Sequence, residues 1–249
     1  MILNIAAYRF VAIEQPDALA DRVQALAHSG ALRGTVLIAP EGINLFLAGE
    51  ESGVREFLRD LCVDARLAGL PIKESWSQSQ PFAKLKVKTK PEIIAFRRDG
   101  ASPLAGRAPS IEPETLARWI GQGTDDSGRR LVLLDTRNRE EVALGTFAGA
   151  VTLPIDNFMD LPDAIQAQRG HLEDATVVSF CTGGIRCEKA ALWMRGDGMD
   201  NVWQLDGGIL GYFEQVGGAG YDGSCFVFDT RLALDPRLTP LVDQPAPAT

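Results

Sequence analysis

Hydrophobic positions change period several times along the chain, and each change marks an element. Residues 3–13 (LNIAAYRFVAI) are apolar and β-prone. In 16–30, Leu19, Val23, Leu26 and Ala27 fall on one helical face between Pro16 and Gly30, which predicts a helix. GTVLIAP (34–40) and INLFLAG (43–49) read as two strands joined at Glu41-Gly42. Ser52 is placed to cap a helix through Asp60, with Val54, Phe57, Leu58 and Leu61 on its apolar side. Strands are predicted at IKESW (72–76), LKVKT (85–89) and EIIAF (92–96). The order β-α-β-β-α-β predicts a ferredoxin-like α+β domain.

The stretch 97–112 is rich in Gly, Pro, Ser and Arg and reads as a linker. Beyond it, buried strands at LVLLDT (131–136), ATVVSF (175–180) and NVWQLDGG (201–208) alternate with helices at 113–121, 139–145, 160–170, 188–198 and 209–216. A shorter extended segment falls at AVTLP (150–154). That alternation predicts an α/β domain with a central parallel sheet. The resulting division is 1–100, a linker over 101–112, a second domain over 113–222 and a C-terminal extension over 223–249. The last residues, QPAPAT, are expected to be disordered.

Composition narrows the class. The 249 residues are 45% hydrophobic and 23% charged, an ordinary globular profile. No apolar run reaches membrane-spanning length, and the N-terminus lacks a signal-peptide pattern, so a cytoplasmic protein without membrane association is expected. Four widely spaced cysteines, Cys62, Cys181, Cys187 and Cys225, are expected as reduced thiols. Only His28 and His171 exist, neither at ligand spacing from a cysteine, so no metal site is expected. The net charge of −8 argues against general nucleic-acid binding. It is uneven, however. Residues 1–100 hold 13 basic and 12 acidic side chains, and 101–249 hold 12 and 21. A polyanion would be held by the first part.

The chemical centre is VVSF-CTGGIRC-EKAALWM. A buried strand runs into Cys181, then a loop of Thr182, Gly183, Gly184, Ile185, Arg186 and Cys187, then a helix. Two glycines let successive N–H groups converge above the sulfur as an anion nest. The helix start and Arg186 add positive potential, and all three favour the thiolate, the nucleophilic form. A small buried core residue is the other role open to Cys181. A phosphatase loop needs arginine six positions after the nucleophile. Position 187 is Cys, and Arg186 falls one residue short, which suits a persulfide or small adduct better than phosphate. Cys187 is either a resolving thiol or, the preferred reading, an occupant of the helix's first turn. Asp135 and Arg137 end an earlier strand, where they pair with each other or orient the loop.

Lys84, Lys86, Lys88 and Lys90 recur at period two, so on a strand they share one face, opposite Leu85 and Val87. With Arg97 and Arg98 they suit a phosphate backbone, and Phe82 and Trp76 are close enough in sequence to offer base stacking. Lysines that protect an edge strand would show the same pattern.

The segments LLDTRNREEVALGTFAGA, CTGGIRCEKA, NVWQLDGGILGYFE and GSCFVFDTR, with the N-terminal GTVLIAPEGINLFLAG and LKVKTKPEIIAF, resemble the bacterial oxygen-dependent tRNA uridine hydroxylases over most of the chain. The resemblance implies an acylphosphatase-like domain followed by a rhodanese-like domain. It implies conversion of the wobble uridine of tRNA to 5-hydroxyuridine with molecular oxygen as co-substrate. Cys181 matches the family's active-loop cysteine, residues 182–186 its loop, and Asp135 and Arg137 its Asp-Thr-Arg. Cys225 matches the Cys of Cys-Phe-Val-Phe-Asp; further cysteines that many members carry beyond it are absent here, so no metal role is carried over. With the resemblance, RNA binding leads for the lysine stripe. No flavin, haem or iron motif is visible, and the electron donor is unknown. The alternatives are a persulfide-carrying sulfurtransferase and a non-enzymatic binding module, and the intact loop argues against the latter.

Overall fold

The computed structural model describes residues 1–246. They form two compact units. The first comprises Met1–Ile94 with Phe228–Leu232 and residues 239–246. The second comprises Ala95–Val227 and Ala233–Leu238.

In the first unit, β1 (Ile2–Phe10), α1 (Pro16–Ser29), β2 (Arg33–Ala39), β3 (Gly42–Gly49), α2 (Glu51–Leu61), β4 (Lys73–Ser77) and β5 (Leu85–Thr89) follow in order. The sheet order is β4-β1-β3-β2-β5. β4, β1, β3 and β2 pair antiparallel, and β5 joins β2 in parallel. This is the ferredoxin-like, acylphosphatase-like arrangement with one added edge strand. Its core is built from the alternate positions Leu3, Ile5, Val36, Ile38, Ile43, Leu45 and Leu47, covered by Leu19 and Val23 of α1 and Val54 and Phe57 of α2. α2 begins at Glu51, and its N-cap is Glu50 rather than Ser52.

EIIAF (92–96) forms no strand. The Ile93 backbone bonds to side chains instead: its N–H donates to Glu41 Oε1 at 2.8 Å, and Asn44 Nδ2 donates to its carbonyl at 3.4 Å. Ile93 and Phe96 are nevertheless buried, so their hydrophobicity reports packing without a ladder.

The second unit has a parallel sheet in the order β6-β11-β10-β7-β9. The strands are β6 (Ser110–Ile111), β7 (Leu131–Asp135), β9 (Val151–Thr152), β10 (Thr176–Phe180) and β11 (Val202–Leu205). Helices α3 (Pro113–Gln122), α4 (Arg139–Val142), α5 (Leu161–Leu172), α6 (Ile185–Gly196) and α7 (Gly208–Gln215) connect them. β10 lies at the centre and is buried along its whole length. Phe147 packs edge-on against Phe180, Tyr212 and Tyr221, with ring centroids 4.8–5.2 Å apart, and seals the core behind the strand end.

Two boundaries differ from the sequence expectation. The expected linker is built into the second unit: Ala101, Ala108 and Ile111 are buried, and β6 pairs with β11. The C-terminal extension divides. β12 (Tyr221–Gly223) pairs with β8 (Gly145–Phe147), and β13 (Cys225–Phe226) pairs with β14 (Ala233–Leu234) in the second unit. Residues 228–232 and 239–246 join the first. There Arg231 Nη1 donates to Ser75 Oγ at 2.7 Å, and Asp243 accepts from the N–H groups of Gln78 and Ser79. Of the tail expected to be disordered, Ala246 N–H donates to the Gln80 carbonyl at 3.0 Å, and residues 247–249 lie outside the described residues. Among the described residues no helix is long and apolar enough to cross a membrane.

Candidate active site

β10 delivers Cys181 to the carboxyl edge of the sheet, where open α/β folds place their sites. The chain then turns through Thr182 and Gly183 to Gly184, which takes a left-handed φ of 98° and caps α6. A side chain at Gly184 would resist that conformation. The turn aims three N–H groups at the sulfur. Gly184 N–H donates to Cys181 Sγ at 3.2 Å, and the N–H groups of Arg186 and Cys187, in the first turn of α6, donate to it as well.

From the other side, α7 holds the loop by its carbonyls: Ile209 N–H donates to the Cys181 oxygen at 2.9 Å and Leu210 N–H to the Thr182 oxygen at 3.0 Å. Gly208 makes that approach possible. A Cβ there would lie 2.6 Å from both the Cys181 oxygen and the Gly184 nitrogen. Gly183 differs, because a Cβ there would meet nothing within 4 Å.

Cys181 is fully buried, and burial alone would raise its pKa. The hydrogen bond from the Cys187 thiol, the Arg186 charge and the two helix N–H groups override that, bringing it down to about 6. Cys187 goes the other way. Burial, the hydrogen bond to Cys181 and the charge on Cys181 push it well above the ordinary thiol value, so it keeps its proton. Thr136 Oγ1 lies 3.5 Å from Cys187 Sγ. The surroundings therefore favour the thiolate at Cys181 and the protonated thiol at Cys187.

Arg186 does more than lend charge. Its guanidinium meets Glu141 fork to fork, with both N–O distances 2.6 Å, and both side chains are buried. Glu141 also accepts from Asn138 N–H in the capping box that starts α4. Burial opposes ionisation of Glu141, and the Arg186 pairing holds it below the usual range. Asp135 and Arg137 pair with each other at 2.6 Å and are completely buried. Their other bonds go to Thr146 Oγ1 and the Gly145 carbonyl, so they brace the end of β7 against β8. Cys225 lies beside Thr182, and burial pushes its thiol up to about 12 against the opposing pull of Arg137 and Thr182.

Sequence reasoning missed Glu141, Thr136 and Gly208. Asn138-x-x-Glu141 was legible as a helix start, but its partner lies 45 residues away.

The basic stripe lies apart in sequence, on β5 and the residues at its two ends. Lys84, Lys86, Lys88 and Lys90 are exposed, while Leu85 and Val87 pack onto the first core. Arg97 and Arg98 are exposed in the segment belonging to the second unit. Phe82 is half-buried near β5. Trp76 is not at the stripe. It sits on β4, the opposite edge of the sheet, four strand spacings or about 19 Å away, and packs against the core. Nearness in sequence misled there, because the ferredoxin-like order sends β4 and β5 to opposite edges.

The UPF0176 acylphosphatase-like domain matches residues 2–93, and the rhodanese-like domain matches residues 112–215. The tRNA uridine(34) hydroxylase of Xanthomonas euvesicatoria pv. vesicatoria (strain 85-10) is 67% identical over 243 residues, 98% of each chain. The chain belongs to the tRNA uridine(34) hydroxylase family. The family's protein from Xanthomonas oryzae pv. oryzae (strain PXO99A) is 65% identical over 248 residues, covering 100% of this chain and 98% of that one. The family's protein from Xylella fastidiosa (strain 9a5c) is 62% identical over 243 residues, covering 98% and 95%. Among solved structures, a rhodanese-like domain from Anabaena sp. covers 46% of this chain and 79% of its own, at 20% identity and a TM-score of 0.38.

Proposed function

We propose that this protein hydroxylates C5 of uridine 34 in tRNA, using dioxygen and forming 5-hydroxyuridine, with Cys181 as nucleophile. The observation that carries the reading is the Cys181 sulfur at the end of β10, accepting from Gly184 N–H in a cradle that favours the thiolate, within a chain of this family. The uracil C5–C6 bond is electron-poor at C6. Addition of the thiolate there makes C5 electron-rich, so that C5 can bond to oxygen. One oxygen atom enters the base and the other leaves as water, which requires two electrons and two protons from a donor. Thr182, Gly183, Gly184 and Ile185 shape the loop, and Arg186 with Glu141 fixes its far end. Lys84, Lys86, Lys88 and Lys90, with Arg97 and Arg98, hold the phosphate backbone. We place the reaction in the cytoplasm, where tRNA and reduced thiols are available.

The test is tRNA incubated with the protein and a thiol reductant, with and without oxygen, followed by nucleoside mass spectrometry. 5-Hydroxyuridine is expected only with oxygen and only with Cys181 present, being lost in Cys181→Ser. A thiouridine product would instead assign a sulfurtransferase carrying a persulfide on Cys181. An oxygen-independent yield of 5-hydroxyuridine would overturn the co-substrate.

A further inference from the structure

We propose that Cys187 is a second catalytic residue, the thiol that reduces the oxygenated base and then closes a disulfide with Cys181. The inference rests on the hydroxylase reading above and supplies its electron source. Its basis is placement. Cys187 occupies the first turn of α6, directly after the active loop and close enough to interact with Cys181, and Thr136 Oγ1 lies 3.5 Å from its sulfur. In this proposal a base carried at C6 by Cys181 presents its C5 substituent to that second sulfur.

The atoms and electrons balance as follows. The Cys181 thiolate bonds to C6, and the displaced electron pair at C5 bonds dioxygen. The Cys187 proton passes to the outer peroxide oxygen. The Cys187 sulfur then takes that oxygen, breaking the O–O bond. This leaves an alkoxide on C5 and a sulfenic acid on Cys187. H5 leaves as a proton to that alkoxide, Cys181 departs as thiolate, and the C5–C6 double bond returns. Cys181 finally attacks the Cys187 sulfur and displaces hydroxide, which becomes water. The net reaction takes uridine, dioxygen and two thiols to 5-hydroxyuridine, water and a disulfide. A small-molecule thiol resets the pair.

The electrostatics act in the right order. At rest, burial, the hydrogen bond to Cys181 and the Cys181 charge all hold the proton on Cys187. Once Cys181 is bonded to C6 it carries no charge. Two of the three causes that hold the proton then fall away, burial still opposes ionisation against the pull of Thr136 and Arg186, and Cys187 becomes a thiolate by giving its proton to the peroxide.

The experiment uses full-length, pre-reduced protein with excess tRNA in air and no added reductant. Wild type is expected to make one 5-hydroxyuridine per chain and stop, with Cys181 and Cys187 joined. Trypsin cuts between Arg186 and Cys187, so the bond appears as two linked peptides. Cys187→Ser is expected to make none under these conditions. It should still form a covalent adduct at Cys181 with 5-fluorouridine-substituted tRNA, which shows an intact cradle. A full single-turnover yield from Cys187→Ser, or a wild-type burst that leaves both thiols free, overturns the inference. Absence of 5-hydroxyuridine from wild type even with excess dithiothreitol overturns the hydroxylase reading and this inference with it.

A second observation, independent of the thiols, lies in the first unit. Lys73, Ala6, Phe46, Thr35 and Lys86 stand in one cross-strand row. Leu45 and Leu47 turn into the helix-covered core, so this row faces the other way. Phe228 lies over it, with its ring 5.9 Å from that of Phe46, and is 51% exposed. We infer that this face takes single-stranded RNA, with a base stacked on Phe228 and the backbone on the Lys86 side. Phe228→Ala should weaken tRNA binding about ten-fold with an unchanged salt slope, because stacking releases no counterions. Phe228→Trp should restore it. Wild-type affinity in Phe228→Ala, or an equal loss on a fully paired RNA duplex, overturns the assignment.

Discussion

The Arg186 guanidinium and the Glu141 carboxylate form a closed, buried fork, with both N–O distances 2.6 Å. The charge that lowers the Cys181 pKa is therefore held in place by a residue on a different helix, α4. Removing one partner of such a pair leaves the other charged and buried.

Glu141→Gln is accordingly expected to destabilise the second unit by about 3 kcal/mol. It also weakens the capping box of α4. Urea unfolding of the full chain measures the loss. An effect below about 0.5 kcal/mol, the size of an exposed pair, would show that solvent reaches the fork.

The Cys181 thiolate should be visible in the ultraviolet difference between wild type and Cys181→Ser, with a midpoint near pH 6. The unfolded thiol titrates at its ordinary value, 9.0. Between those two values the unfolded chain binds a proton that the native state does not, so the contribution of Cys181 to stability grows with pH. That contribution is complete above the ordinary value and is lost as pH falls through about 6. Cys187 has the opposite sign: its contribution is complete below the ordinary value and is lost as pH rises through its raised native one. A Cys181 midpoint at the ordinary thiol value would refute the cradle.

Gly208 and Gly183 flank the same loop and should respond differently to alanine. At Gly208, φ is +62° and a Cβ would press on the Cys181 carbonyl and the Gly184 nitrogen. Gly208→Ala should cost roughly 1–3 kcal/mol and displace the loop, abolishing 5-hydroxyuridine formation. Gly183→Ala meets open space and should keep the wild-type melting temperature. Thermal unfolding and the tRNA assay on both variants check the contrast.

Charge reversal at Lys84, Lys86 and Lys88 should weaken tRNA binding and flatten its salt dependence. The log–log slope should fall in magnitude by about 0.9 for each phosphate that is no longer neutralised. Leu85 and Val87 carry the packing of β5 and are untouched, so the fold should survive. If affinity and slope stay unchanged while the variant aggregates, the lysines guard an edge strand.

Much of this architecture was legible because local signals and tertiary demands agree. Strand β5 matched residue for residue, since an edge strand with one buried face must alternate. The strand–Cys–Gly-Gly–helix pattern predicted an N–H cradle because glycine and a helix start have few other uses at the end of a buried strand. The single arginine in the loop and the second cysteine were visible as well.

What lay beyond reach was every relation that depends on which distant segments meet. Glu141 is a capping residue in sequence and the counter-ion of Arg186 only in space. Gly208 closes the active loop from another helix. Trp76 and the lysines, close in the chain, end on opposite edges of one sheet. Periodicity and composition determine which face of an element is buried, because each element must hide its apolar side. They do not determine which partner hides it. The state of Cys187 was decided in the same way. Sequence allowed either a helix position or a redox partner; the packed structure adds that Cys187 lies in the first turn of α6, where burial and the neighbouring Cys181 push its pKa up.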